Sequence, residues 1–382
     1  MRVIWHECKK VIKSPIFLAL MAIFIAYNMF LIISAAQDRS EAETVNAVVE
    51  QYGVNITSTS LAQLQGGLQR DTEELNRITR AEAGQTFDHV FAFLERRDIR
   101  NDQRYSEADW AFINQLLAKE MYFQQAQSNI ERYEQLDWSR IAEDEIFKYQ
   151  LNGQAAQVIK DEYTKLSERY TEIINKGEHK EWFFAGEYRM HSFLFRTVFG
   201  SLIFEALILI VLATALITNY EFEHRTHFVT YTTKRGRRLM KDKLLAALII
   251  ASGITVSLFI VTLGTYFLVF DYAHVWGSSI NSVLNWEYKL PYVSWWDFSF
   301  GNYLFMSIGL VFLCMLLFSA LTFGMSVLIK NSYATFFVFA LFFLFGYLVG
   351  NIPGPSIFML LAMFNLSALL LNPHLFLWAV MA

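Results

Sequence analysis

Cysteine is almost missing from this 382-residue chain. Only Cys8 and Cys314 occur, and neither lies between residues 37 and 190, so no disulfide can brace that stretch. Proline is scarce as well, with five in all. Catalytic signatures are also missing: there is no GxxxxGK[ST] loop to cradle phosphates, no H-E-x-x-H, no paired CxxC and no G-x-S-x-G. These patterns depend on backbone geometry that is hard to replace, so the chain reads as a non-enzyme with no metal or cofactor of its own. Charge is modest, at 18% of residues, whereas 54% are hydrophobic and 16% aromatic, giving a mean hydropathy of +0.28. That balance argues against a single soluble domain and for the membrane class.

Long apolar runs fit this class, since about 20 such residues cross a hydrocarbon core of roughly 30 Å as a helix. They predict spans over residues 15–36, 191–219, 244–270, 303–329 and 333–350. A further stretch, 356–382, is interrupted by Asn372-Pro373-His374. It reads as a re-entrant helix, an incomplete sixth span, or both. The "SAA" before Gln37 resembles a signal-peptide cleavage site. The apolar stretch ahead of it is longer than the roughly 7–15 residues of a signal sequence, so an uncleaved anchor is expected.

Charge is divided along the chain. Residues 37–190 hold 28 acids and 18 bases, a net of −10, and the remainder has 8 acids and 14 bases, a net of +6. The short basic segments are the N-terminus (Arg2, Lys9, Lys10, Lys13) and residues 220–243, "YEFEHRTHFVTYTTKRGRRLMKDK". By the positive-inside rule both face the cytoplasm, which places 37–190 and 271–302 outside. Residues 1–14 read as an amphipathic interfacial helix with Ile4, Cys8, Val11 and Ile12 on one face.

The 37–190 region carries helix-forming stretches. Near its end Ile159, Tyr163, Leu166, Tyr170 and Ile173 recur at spacings of 4 and 3, a heptad seam that serves packing within the domain or dimerisation. Trp276, Trp286, Trp295 and Trp296 in the second outer loop read as an interfacial aromatic belt. Glu205 stands alone within a span, where a carboxylate is costly. It marks either a translocation path or a helix interface, and Arg196 nearer the end snorkels outward. His224 and His227 sit beside Glu221 and Glu223, but this spacing in a polar loop is weak evidence for a metal.

Segment 220–243 resembles the loop after the second span in permease subunits of ABC-2 type transporters. The family pattern is Glu, then Gly-Thr, an apolar stretch, Ser/Thr-Thr-Pro, an Arg and a Lys. Glu221 falls on the Glu, Thr226 on the Thr, Phe228 and Val229 in the apolar stretch, Thr232-Thr233 on the Ser/Thr-Thr pair, and Arg237 and Lys243 on the basic positions. Arg225 replaces the glycine and Lys234 the proline. The resemblance implies an all-α membrane protein of about six spans in the bacterial cell membrane, N-terminus inside, with a large helical extracellular domain between spans 1 and 2. It implies an exporter of a peptide, antibiotic, lipid-like compound or ion. The chain would pair with a second permease copy or a homologous permease, among membrane lipids and without nucleic acid. A separate ATPase subunit would carry the ATP and Mg and dock on Glu221, Glu223, Thr226, Phe228, Thr233, Arg237, Arg238 and Lys243. The competing class is a non-transporting receptor or scaffold whose outer helices sense a peptide or envelope component.

Overall fold

Ser14 and Pro15 separate the first two helices for a local reason. The Ser14 hydroxyl accepts a hydrogen bond from the Phe17 N–H at 3.5 Å, and Pro15 occupies the first helical turn, where its missing N–H costs nothing. The computed structural model of the chain describes residues 2–95, 104–185, 192–232, 236–287, 290–349 and 365–373. Among them α1 (Arg2–Ile12) is short and amphipathic, and α2 (Pro15–Ser34) is apolar all round. At 1.5 Å per residue α2 is about 30 Å long, one hydrocarbon thickness.

Four described helices are long and apolar enough to cross a membrane: Pro15–Ser34, Phe193–Glu223, Arg238–Val269 and Phe300–Ile329, with the shorter Ser332–Leu348 beside them. The protein is thus a membrane-embedded helical bundle. We label the later members α9 (Phe199–Glu223, entered through a π-helical turn at Phe193–Val198), α11 (Gly236–Val269), α12 (Phe300–Ile329) and α13 (Ser332–Val349). Burial is 67% in the most apolar part of Phe193–Glu223, which includes much of α9, and 17% in that of α2. So α9 is the bundle's centre, packed against α11, α12 and α13, and α2 lies at its edge. Arg196 sits exposed in the π-helical turn. Lys330 turns α12 into α13 through a left-handed backbone, φ 58°.

Between α2 and α9 the chain builds a helical domain: α3 (Arg39–Tyr52), α4 (Ser58–Ala83), α5 (Val90–Leu94), α6 (Glu107–Glu134), α7 (Trp138–Lys148) and α8 (Gly153–Lys176). Its helix ends are encoded locally. Thr57 with Ser60, and Ser106 with Asp109, form reciprocal capping boxes. Gly84 and Gly177 close α4 and α8 at φ 66° and 74°, a conformation glycine adopts without Cβ strain. The α8 seam turns inward: Tyr170 packs on Tyr133 of α6 with centroids 5.1 Å apart, and Tyr163 and Tyr170 pack on Trp138 of α7.

Residues 271–299 are folded onto this domain and depart from an all-helical pattern. They hold a small antiparallel hairpin, β1 (Trp286–Glu287) and β2 (Leu290–Pro291). The Asn281 amide donates to Glu178 at 2.9 Å and the Ser279 N–H to Glu181 at 2.6 Å. The Val283 N–H donates to the His179 carbonyl at 2.9 Å, and Arg169, itself paired with Glu178 at 2.7 Å, donates to the Ser294 carbonyl. The tryptophans expected as a membrane belt also make contacts inside the protein, although Trp276 is still 38% exposed. Trp286 lies under the Arg132 guanidinium at 4.0 Å, and Trp276 packs on Phe267 and Phe300. Trp296 remains 47% exposed.

Burial pushes the His179 imidazole below its ordinary pKa, against the nearby Glu134. The hydrogen bond from Lys180 holds Glu134 low, whereas burial pushes Glu181 up. Of the stretch 356–382, only a short helix, α14 (Leu366–Leu371), and its flanks are described. The expectation of a re-entrant helix or sixth span therefore falls mainly outside the described residues.

Candidate functional site

The loop between α9 and α11 is shorter than the expected 220–243 segment. Helix α9 runs on to Glu223, α11 begins at Gly236, and a six-residue helix, α10 (His227–Thr232), lies between them. The early start of α11 follows from composition, because arginine, lysine, leucine and methionine are good helix formers. Gly236 admits a close approach: a Cβ there would sit 2.8 Å from the Tyr231 Cα. Arg225 adopts φ 57°, the left-handed region that glycine enters most easily.

Below this loop four charges close on one another. Lys10 of α1 contacts Glu7 at 2.8 Å and Glu221 of α9 at 2.7 Å. Lys243 of α11 contacts Glu7 at 3.4 Å and pairs directly with Glu221. Lys243 is fully enclosed, and its ammonium also donates to the carbonyls of Ile217 and Thr218. Glu7 and Glu221 are buried, and Lys10 stands 4.2 Å over the Tyr220 ring. Two acids and two bases alternate, so the cluster is neutral although each member is largely out of water. Desolvating four ions is offset only by such mutual contacts. The cluster ties the interfacial helix to both spans that flank the loop.

The expected docking residues therefore divide. Glu221 and Lys243 face inward, and Glu223 accepts a hydrogen bond from the Ser332 N–H at 2.8 Å, at the start of α13. Phe228 and Val229 of α10 are each 74% exposed, and Thr226 and Arg238 are exposed too. Thr233 and the Arg237 side chain lie outside the described residues. His224 stacks on Tyr220 and His227 on Phe222, so the two imidazoles are drawn into separate aromatic stacks.

Glu205 meets a partner from another span, and that partner bridges to a third. The Asn28 amide of α2 donates to Glu205 at 2.6 Å and to Thr262 of α11 at 3.2 Å, with all three side chains buried. Glu205 Oε1 and Asn28 Oδ1 accept no hydrogen bond from the described residues. A second polar seam joins α9 to α12 and α13: Thr214 to Ser319 at 3.0 Å, Asn219 to Ser326 at 2.7 Å, and the Ser332 hydroxyl to the Ala215 carbonyl at 3.1 Å. Uncharged polar residues in apolar runs gave little sequence signal. Asn28, which breaks α2's otherwise apolar run, was the nearest to one.

A scan against protein-family models matched none, and searches of curated proteins and of solved structures likewise found no match.

Proposed function

We propose that the chain is the permease subunit of an ABC-2 type transporter, an exporter in a bacterial cell membrane with α1 on the cytoplasmic side and the helical domain outside. The observation that carries this reading is the loop. Helix α10 presents Phe228 and Val229 to the surroundings, while both flanks of the loop are locked to α1 through Glu221 and Lys243. Exposed apolar side chains ringed by charge suit a protein groove, and an element fixed at both ends passes a push from that groove into two spans together. The left-handed Arg225 adds support, because the family's glycine falls where such a backbone is needed.

In this reading a separate ATPase subunit holds ATP and Mg and docks on α10, Glu223, Arg238 and the neighbouring Arg237. Its closure moves α9 against α11 in a pair of permease subunits. The family pattern has a sixth span, for which the sequence offers the apolar stretch 356–382, mainly outside the described residues. The exported compound is a peptide, antibiotic, lipid-like molecule or ion, and Glu205 faces its path or a helix interface. The test is affinity capture of the chain from native membranes, followed by mass spectrometry and an ATP-hydrolysis assay. An ATPase subunit should co-purify, and Phe228→Glu with Val229→Glu should abolish the association. Capture of a kinase or other signalling protein without any ATPase would instead establish the receptor reading.

A further inference from the structure

A cleft of about 710 Å³ opens on the side of the bundle where α1 lies against the spans. Its walls are α1 through Trp5 and Ile12, α2 through Phe17 and Met21, and α11 from Ile249 to Ser257. The lining is almost wholly apolar. The Ser257 hydroxyl is already satisfied by its own helix, donating to the Gly253 and Ile254 carbonyls at 2.7 and 3.0 Å. No group in this wall calls for a polar ligand. From Ile249 to Ser257 the wall runs about 12 Å at 1.5 Å per residue, close to one leaflet's half of the roughly 30 Å hydrocarbon core.

The rim has the opposite character. Glu7, the acid of α1, is taken up by Lys10 and Lys243. Among the described residues no carboxylate pairs with Lys9 or Lys13, and the Lys9 ammonium lies 5.5 Å from the ring of Trp5, which itself lines the cleft. Lys9 beside Trp5, with Lys13 next in sequence to Ile12 of the lining, puts positive charge by a leaflet-deep apolar slot and matches an anionic amphiphile. We propose that the cleft binds an anionic glycerophospholipid, with an acyl chain between α2 and α11 and the phosphate at Lys9 and Lys13. A second copy of the chain is disfavoured as occupant, because two-fold pairing across this face puts the lysines of both copies into one interface.

The full chain, purified in detergent and equilibrated with mixed micelles of phosphatidylglycerol and phosphatidylcholine in equal amounts, should retain phosphatidylglycerol preferentially by mass spectrometry. Gly253→Leu fills the slot, and a Cβ at Gly253 meets nothing within 4 Å. It should remove the retained lipid while leaving elution and melting unchanged. Lys9→Gln with Lys13→Gln should cut the phosphatidylglycerol preference roughly tenfold or more. Equal retention of the two lipids by the wild type overturns the proposal, as does undiminished phosphatidylglycerol in Gly253→Leu. Conversion of a dimer to a monomer by Gly253→Leu with lipid retained overturns it in favour of a second copy. If Gly253→Leu does not fold, the lysine pair decides: an unchanged lipid preference rejects the assignment.

Discussion

Replacing Lys243 by methionine keeps the length of the side chain and removes its charge, which isolates the electrostatics of the four-charge cluster. Lys243 is fully enclosed and touches both Glu7 and Glu221. Without it, two buried carboxylates share the single cation Lys10 at 2.8 and 2.7 Å. At an effective dielectric of about 20, each lost contact carries roughly 4 kcal/mol of Coulomb attraction, set against desolvation of the ammonium. Measured losses for breaking one partner out of a buried pair fall at about 3–5 kcal/mol. Taking ~2 °C per kcal/mol, the low end for domains of roughly 150–250 residues, Lys243→Met should lower the melting temperature by about 6–10 °C. The assay is thermal melting in detergent followed by tryptophan fluorescence and monodispersity. Adding Glu221→Gln leaves Glu7 paired with Lys10 and should recover part of the loss, a coupling of about 1–3 kcal/mol. A Lys243→Met shift below about 2 °C, or strict additivity in the double variant, would refute the coupled cluster.

Glu205→Gln preserves an acceptor for Asn28 and should cost less than about 1 kcal/mol, whereas Glu205→Ala leaves the Asn28 amide with Thr262 as its one remaining acceptor among the described residues and should cost about 1–3 kcal/mol; equal melting of the two variants rejects the polar node. At Arg225, glycine should be tolerated and valine should not, because a β-branched residue at φ 57° is strained; limited proteolysis of the α9–α11 loop gives the readout. The buried His179 imidazole has a lowered pKa in the fold, so it binds a proton more readily when unfolded. Its stabilising contribution is therefore present above about pH 6.5, the unfolded value, and is lost as pH falls below it. Melting between pH 7.5 and 5.5 should show this fall, and His179→Gln should flatten it. The raised pKa of Glu181 works in the opposite sense, stabilising below the usual carboxylate pKa and fading as pH rises through its folded value. Because the two groups act in opposite senses, the comparison of wild type with His179→Gln, not the bare slope, is decisive.

The four long apolar helices were legible because hydrophobic length is a local property: α2, α9, α11 and α12 fall on the runs that announced them, and the shorter α13 falls on the run at 333–350. Boundaries were less so. The first turns of α11 carry Arg237, Arg238 and Lys241, which register as loop on a hydropathy scale although their helix propensity is high. Glu205 announced itself as a lone charge, but Asn28 and Thr262 did not, since two bonds from Asn28 join three helices distant in sequence. The same limit hid the cluster: the positive charge of residues 220–243 was visible, whereas the pairing of Lys243 with an acid on α1 depends on tertiary proximity. Trp286 was read by residue type alone, which cannot reveal an arginine waiting across the fold.

The cluster also constrains how the protein is made. Lys10 and Glu221 are 211 positions apart, so at roughly 5–20 residues per second α1 leaves the ribosome about 10–40 s before its first anchor on α9 exists. Throughout that interval Glu7 has only Lys10 as its partner, and the interfacial helix is free to lie elsewhere on the membrane. The oldest segment of the newborn chain therefore cannot find its full seat until synthesis has passed Lys243. Its capture marks the moment when α9 and α11 have both been threaded, and a variant that blocks it would accumulate as an inserted but unlatched intermediate.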